Sequence, residues 1–173
     1  MRAWITSALI AWMVFVSTPA RAQLSTLHSF ESGESPYGTM VSSGSILYGM
    51  AGGIAFMYNT TNENSALLHQ FTGGPNNGAG QGDLTLVTVG AGPFRRQYLY
   101  GVTGQGGPAN LGVVFMMNSD GTGYTNLHTF AGATSDGATP FFSSLTQGGS
   151  TLYGTTYDGG TANFGTLFKI NTN

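Results

Sequence analysis

The phrase Leu-His-x-Phe occurs three times in this chain, at Leu27-His28-Ser29-Phe30, Leu68-His69-Gln70-Phe71 and Leu127-His128-Thr129-Phe130, and these copies hold all three histidines. Each copy is followed by Leu-Tyr-Gly (Leu47-Tyr48-Gly49, Leu99-Tyr100-Gly101, Leu152-Tyr153-Gly154) and then by Gly-x-x-Phe (Gly53 to Phe56, Gly112 to Phe115, Gly165 to Phe168). A period near fifty residues built from short apolar phrases points to stacked sheet modules of the kind found in propeller blades. The three tyrosines are 52 and 53 residues apart, whereas the histidines are 41 and 59 apart. Variation in length therefore falls in loops and not in the phrases.

The residues between the phrases have strand chemistry. Short runs rich in β-branched and aromatic residues are punctuated by Gly, Asn, Asp and Pro, and no stretch beyond residue 22 shows helical periodicity over three turns. The clearest hairpin is Val113-Val114-Phe115-Met116-Met117-Asn118, a turn containing Asp120-Gly121, and a return strand from Tyr124 to Phe130. Asp-Gly between apolar runs marks a tight turn because such turns need residues that tolerate positive φ. This places Gly-x-x-Phe and Leu-His-x-Phe on neighbouring antiparallel strands.

The expected fold is all-β, a propeller-like array of three four-stranded antiparallel blades with modules near 31–71, 72–130 and 131–173. In the third module the inner strand is expected from Pro140 to Thr146, the second from Thr151 to Thr156 and the third from Gly165 to Ile170. Residues 23–30 read as an outer strand with no module in front of them. Pairing that strand with the last blade would complete it and hide two sheet edges. Three blades fall short of the four to eight of closed propellers, so the alternatives are an open arc, a piece of a longer array, or assembly of two copies through exposed sheet edges.

Residues 1–22 read as a signal peptide, expected to be helical. Arg2 supplies the positive start, residues 3–16 are apolar, and Ala20-Arg21-Ala22 is an A-x-A cleavage signal. The apolar run is shorter than the roughly 20 residues that span a bilayer, so cleavage after Ala22 is expected in preference to a retained anchor, with no membrane span afterwards. The domain is then 23–173. Removing Arg2 and Arg21 leaves three basic residues against seven acidic ones. Only 7% of all residues are charged, so there is no basic field to bind nucleic acid or anionic lipid. The chain has no cysteine, which excludes disulfides, thiol catalysis and thiolate metal sites.

The run Met117 to Phe130, continued by Ser135-Asp136-Gly137-Ala138-Thr139-Pro140, Leu152-Tyr153-Gly154-Thr155-Thr156-Tyr157-Asp158-Gly159-Gly160 and Gly165-Thr166-Leu167-Phe168-Lys169, resembles the GloVer-type tandem repeat of bacterial exported proteins. The likeness is close over residues 98–173 and looser over 24–97. The first module departs most, lacking the Asp-Gly turn before Leu68. The resemblance implies a secreted or surface-anchored β-rich array and carries over no catalytic residue.

Chemistry-bearing side chains find mostly structural explanations. His28, His69 and His128 occupy equivalent positions on separate strands, so each is expected to hydrogen-bond a neighbouring loop in preference to converging on a metal. The acidic residues are Glu31, Glu34, Glu63, Asp83, Asp120, Asp136 and Asp158. Asp120 and Asp136 each precede glycine, and Asn77-Gly78-Ala79 fills the place of Asp136-Gly137-Ala138 one module earlier, as a turn-former would. Asp158 and Glu34 lie outside the repeat pattern and are the candidates for a carboxylate pair of the kind a glycosidase needs. Gly104-Gln105-Gly106-Gly107 and Asp158-Gly159-Gly160 lack the following lysine and helix of a phosphate loop. There is no Gly-x-Ser-x-Gly elbow. Recurrent Tyr48, Tyr100, Tyr153, Phe56, Phe115 and Phe168 read as packing between blades; Tyr37, Phe141, Phe142 and Tyr157 are less regular, with core packing as their expected use and a sugar-binding face as the alternative.

No catalytic, metal or cofactor site is expected. The functional expectation is a non-catalytic binding or structural module, secreted, periplasmic or at the cell surface, with glycan or another surface protein as partner. The alternative is a carbohydrate-active propeller fragment, hydrolase or lyase, working through Asp158 or Glu34.

Overall fold

The structure, a computed structural model, describes residues 22–79, 82–141 and 143–172. The signal segment falls almost wholly outside the described residues, as does Phe142. Among the described residues the fold is all-β, and no helix is long and apolar enough to cross a membrane. The first sheet contains β1 (Pro36–Ser43), β2 (Ile46–Ala51), β3 (Ile54–Asn59) and β4 (Asn64–Gln70), side by side in chain order. Next come β5 (Gly78–Ala79), β6 (Leu84–Val89), β7 (Arg96–Thr103), β8 (Gln105–Gly106), β9 (Val113–Asn118) and β10 (Thr125–Thr129). Of these β6, β7, β9 and β10 form the second four-stranded sheet. The third sheet has three strands, β12 (Thr146–Gly148), β13 (Thr151–Thr155) and β15 (Leu167–Asn171). Two short ladders, β5 with β8 and β11 (Gly137–Ala138) with β14 (Asp158–Gly159), complete the set, and every pairing is antiparallel.

The repeat phrases become one recurring joint. Within each sheet the glycine of Leu-Tyr-Gly lies directly opposite the phenylalanine of Gly-x-x-Phe: Gly49 opposite Phe56, Gly101 opposite Phe115 and Gly154 opposite Phe168. A methyl group on these glycines would stand 2.8, 2.6 and 2.5 Å from the ring's Cζ. The bare backbone is thus the seat of the ring. The other side of the ring meets the phenylalanine of the preceding Leu-His-x-Phe, with centroids 5.0 Å apart for Phe30–Phe56, 5.0 Å for Phe71–Phe115 and 5.4 Å for Phe130–Phe168. These are tilted or edge-on contacts, the arrangement ring quadrupoles favour.

Period-two alternation then divides the central sheet between two cores. In β9, Val113, Phe115 and Met117 join Tyr48, Met50, Ala55 and Leu84 in the core between the first and second sheets. Val114 and Met116 point the other way, toward Leu145, Leu152, Phe168 and Ile170 of the third. Each fully buried Val, Leu or Phe contributes about 1.5–3 kcal/mol by leaving water, so the two interfaces dominate stability. The first strands of neighbouring sheets also touch. Thr39 donates its backbone amide (3.0 Å) and hydroxyl (3.3 Å) to the buried carboxylate of Asp83, and the Thr85 hydroxyl donates to the Leu145 carbonyl at 2.6 Å.

The structure departs from the sequence expectation in three places. Residues 22–30 form no strand and lie along the first sheet through Phe30, so the outer strand expected at 23–30 and its closure onto the last blade are absent. The third sheet has three strands among the described residues instead of four. Its inner strand starts at Thr146 and not at Pro140, because Ser143 Oγ accepts the Thr155 amide (3.3 Å), putting a side chain where a ladder carbonyl would sit.

Candidate functional site

Two of the three histidines tie an outer strand to the loop that follows it. The Nε2 of His69 lies 3.0 Å from Asn77 Oδ1, and that of His128 lies 3.1 and 3.2 Å from the two carboxylate oxygens of Asp136. The spacing is eight residues in both cases. Asn77 also donates to the Gln70 carbonyl and the Thr72 hydroxyl, both at 3.1 Å, while Asp136 accepts the amides of Ala131 and Gly137, both at 2.8 Å. Partial burial opposes ionisation of Asp136, but the two amides and the imidazole outweigh it and hold the carboxyl below its ordinary range. Eight residues on from His28 stands Pro36, which has no side-chain acceptor, and there the knot is missing. All three imidazoles do share an edge-on contact with their own phenylalanine, at 4.8, 4.8 and 4.9 Å.

Tyr124, at the start of the outer strand of the second sheet, closes the joint to the first. Its ring stacks flat on His69 at 3.9 Å and lies 5.5 Å from Phe115. Its hydroxyl accepts the Gly78 amide (3.3 Å) and donates to Asn126 Oδ1 (2.8 Å), and burial pushes the phenol's pKa up. Nothing in the phrases signals this residue, since Ser65 and Leu24 hold the equivalent places. An aromatic four residues before the histidine was the available clue. Tyr100 is raised as well, by burial and then by the neighbouring Tyr98.

Apart from Glu31 and Glu34, which border one hollow, the acidic residues stand apart. Asp83 is bound at the contact of the first two sheets, as described. Asp120 accepts the Thr122 hydroxyl (2.7 Å) and amide (2.9 Å), and these bonds hold its carboxyl low. Asp158, in the β14 ladder, accepts the Thr139 hydroxyl at 2.6 Å. Glu34 accepts the Glu31 amide at 3.3 Å and borders, with Glu31 and His28, a hollow on the first sheet. Glu63 lies in the turn before β4 at φ 57°. The two carboxylates singled out by the sequence, Asp158 and Glu34, thus sit in different modules with different partners. No cluster of three or more His, Cys, Asp or Glu side chains able to hold a metal occurs among the described residues.

The glycine-rich loops are a second repeated device. Gly106 and Gly107 have φ of 91° and 76°, and Gly159 and Gly160 of 88° and 75°, values that side chains rarely adopt. In each loop a downstream asparagine reaches back to the first glycine: Asn110 Oδ1 accepts the Gly106 amide and Asn163 Oδ1 the Gly159 amide, both at 2.9 Å. The loops then pair with Gly78–Ala79 and Gly137–Ala138. The glycines serve backbone pairing between loops. Of the irregular aromatics, Tyr37 lies in β1, Phe141 packs over Gly104, and Tyr157 is exposed.

Stacked antiparallel sheets, each seating a phenylalanine on a glycine and joined by recurrent phenylalanine pairs, define the chain as a β-repeat protein. The model of the Gloeobacter/Verrucomicrobia repeat matches residues 13–173, and the chain belongs to that family. No curated protein and no solved structure matches it.

Proposed function

We propose that this is a non-catalytic, exported repeat protein of the bacterial envelope or exterior, its sheets set as propeller-like blades, which binds glycan or another surface protein through its inter-strand loops. The observation that carries the reading is the use made of its reactive groups. Asp83, Asp120, Asp136 and Asp158, with His69 and His128, all hold strands and loops in place. A hydrolase or lyase needs acid and base facing one substrate bond, and these four aspartates are held apart by separate partners instead. The blade-like setting is supported by the contacts between successive first strands, Asp83 to Thr39 and Thr85 to Leu145, which give the sheets a common inner side. Export is supported by the leader pattern of residues 1–22.

The test is to probe the purified exported chain on a glycan array and, in parallel, with a panel of glycosidase and polysaccharide-lyase substrates. Saturable binding without turnover is expected. Robust turnover that is lost in Asp158→Asn or Glu34→Gln would overturn the reading.

A further inference from the structure

Positions that are buried inside the array are open at its two outer faces. Tyr100 and Val114 of the second sheet are 2% and 0% exposed because the third sheet lies on them, whereas their counterparts Tyr153 and Leu167 in the third are 42% and 77% exposed. At the other end Leu84 of the second sheet is 2% exposed, and Met40, in the same place of the first, is 50%. There Met40, Leu47 and Phe56 line an apolar groove only partly covered by Leu24 and Leu27. One face of each kind is left over, and the two kinds are those that pack together at both internal joints.

The strands are mismatched in the same sense. Among the described residues no strand pairs with the outer edge of β15, and residues 22–30 contain a Leu-His-x-Phe phrase but join no sheet. In both complete sheets that phrase pairs in one register: His69 opposite Ala55 and His128 opposite Val114, with a bulge at Leu68 and Leu127. Phe30 already holds Phe56 as Phe71 holds Phe115. Residues 23–30 therefore stand, relative to the first sheet, where the outer strand of a preceding sheet would stand. Beside β15 there is also an open hollow of about 380 Å³ bordered by His128, Phe130, Phe168 and Lys169. It corresponds to the space that Tyr124 fills beside His69 and Phe115.

We propose that two copies of this chain pair head to tail, residues 23–30 of each adding to β15 of the other as its fourth strand. The register of the complete sheets sets Ser25 opposite Lys169, Thr26 opposite Phe168, His28 opposite Leu167 and Ser29 opposite Thr166. Leu24, at the repeat position of Tyr124, enters the hollow beside His128. The third sheet of each copy covers the groove on the first sheet of the other, so Tyr153, Leu167 and Met40 are buried like their internal counterparts. Two such joints close a ring of six sheets, within the range of closed propellers, and pair the open outer edge of β15 in both copies. The pairing rests on the blade-like arrangement proposed above and is independent of what the loops bind.

The chain has no native cysteine, so a designed pair reports the contact cleanly. Ser25→Cys and Lys169→Cys chains carrying different tags are co-expressed, exported and oxidised, and the unsubstituted protein is weighed by light scattering. Directly opposed positions bring Cβ atoms close enough for a disulfide. The expected result is twice the chain mass in solution and a disulfide between the two tags, with none when Ser25→Cys is combined with Glu63→Cys. A monomeric unsubstituted protein would overturn the pairing, as would a chain carrying both Ser25→Cys and Lys169→Cys whose disulfide forms only within that one chain. A monomer that still binds glycan without turnover would remove the pairing and leave the functional reading standing.

Discussion

Gly101→Ala tests whether the ring seat is the organising contact. In a strand interior, glycine is less favourable than alanine by roughly 0.5–1 kcal/mol, so the substitution would stabilise a site with room for a methyl. Here the new Cβ would stand 2.6 Å from Phe115 Cζ and 2.9 Å from Cε1, about 1 Å inside the ~3.5–4.0 Å optimum for carbon pairs. The ring has no retreat: it is fully buried, with Phe71 and Tyr124 against it. Overpacking of this kind costs about 1–3 kcal/mol, which exceeds the propensity gain, and a net loss of about 1–2 kcal/mol is expected. Phe115→Leu removes the atoms that clash, so Gly101→Ala on that background should cost much less, leaving a coupling of about 1 kcal/mol or more in the double-mutant cycle. The Asp83 carbonyl 3.0 Å away sets a residual cost in both backgrounds. Both tryptophans lie at positions 4 and 12, within the segment proposed as a cleaved leader, so urea unfolding of the domain 23–173 would be followed by far-ultraviolet circular dichroism and tyrosine emission. If Gly101→Ala is neutral in the native background, or equally harmful with leucine at 115, the ring does not sit on that glycine and the account of the repeat fails.

Asp136→Asn should lose about 1 kcal/mol at pH 7, because the amide cannot accept from both Ala131 and Gly137 as the carboxylate does. The folded-state pKa of Asp136 is depressed, so its contribution is fully present above the ordinary aspartate value near 3.9 and is lost as pH falls through the lower folded value. The difference in urea midpoint between native and variant should accordingly shrink at pH 3; an unchanged difference would contradict the assignment. Tyr124→Phe should cost about 1 kcal/mol through the unsatisfied Gly78 amide, and Tyr124→Ala about 2–4 kcal/mol through loss of the stack on His69 and Phe115, read from the same unfolding curves.

Local pattern carried much of the fold. The Asp120-Gly121 hairpin is found with strands Val113–Asn118 and Thr125–Thr129, because the turn chemistry and the period-two runs agree there. The equivalence of Asn77 and Asp136 was legible as a substitution between turn-formers, and it led to their shared histidine partner one strand away. What the sequence hid was non-local. Asp83 reads as an isolated acid, and its receptor is the amide and hydroxyl of Thr39, 44 residues earlier and next to Gly38, where any side chain would collide with the carboxylate. The short ladders were equally hidden, since runs of glycine and asparagine carry no strand periodicity and pair through backbone conformations that only glycine adopts readily. Residues 23–30 spelled a strand and form none, because a strand needs a neighbour and the phrase encodes only one side of the ladder.

The ring-on-glycine joint also bears on how such a gene can grow. The ring seat at each junction comes from the repeat phrases, with the glycine and one phenylalanine in a unit and the second phenylalanine at the close of the unit before. A duplicated stretch of about fifty codons therefore arrives with a complementary surface at each end, and no compensating substitution is required for it to stack. Loops of unequal length can then diverge freely between junctions that stay the same.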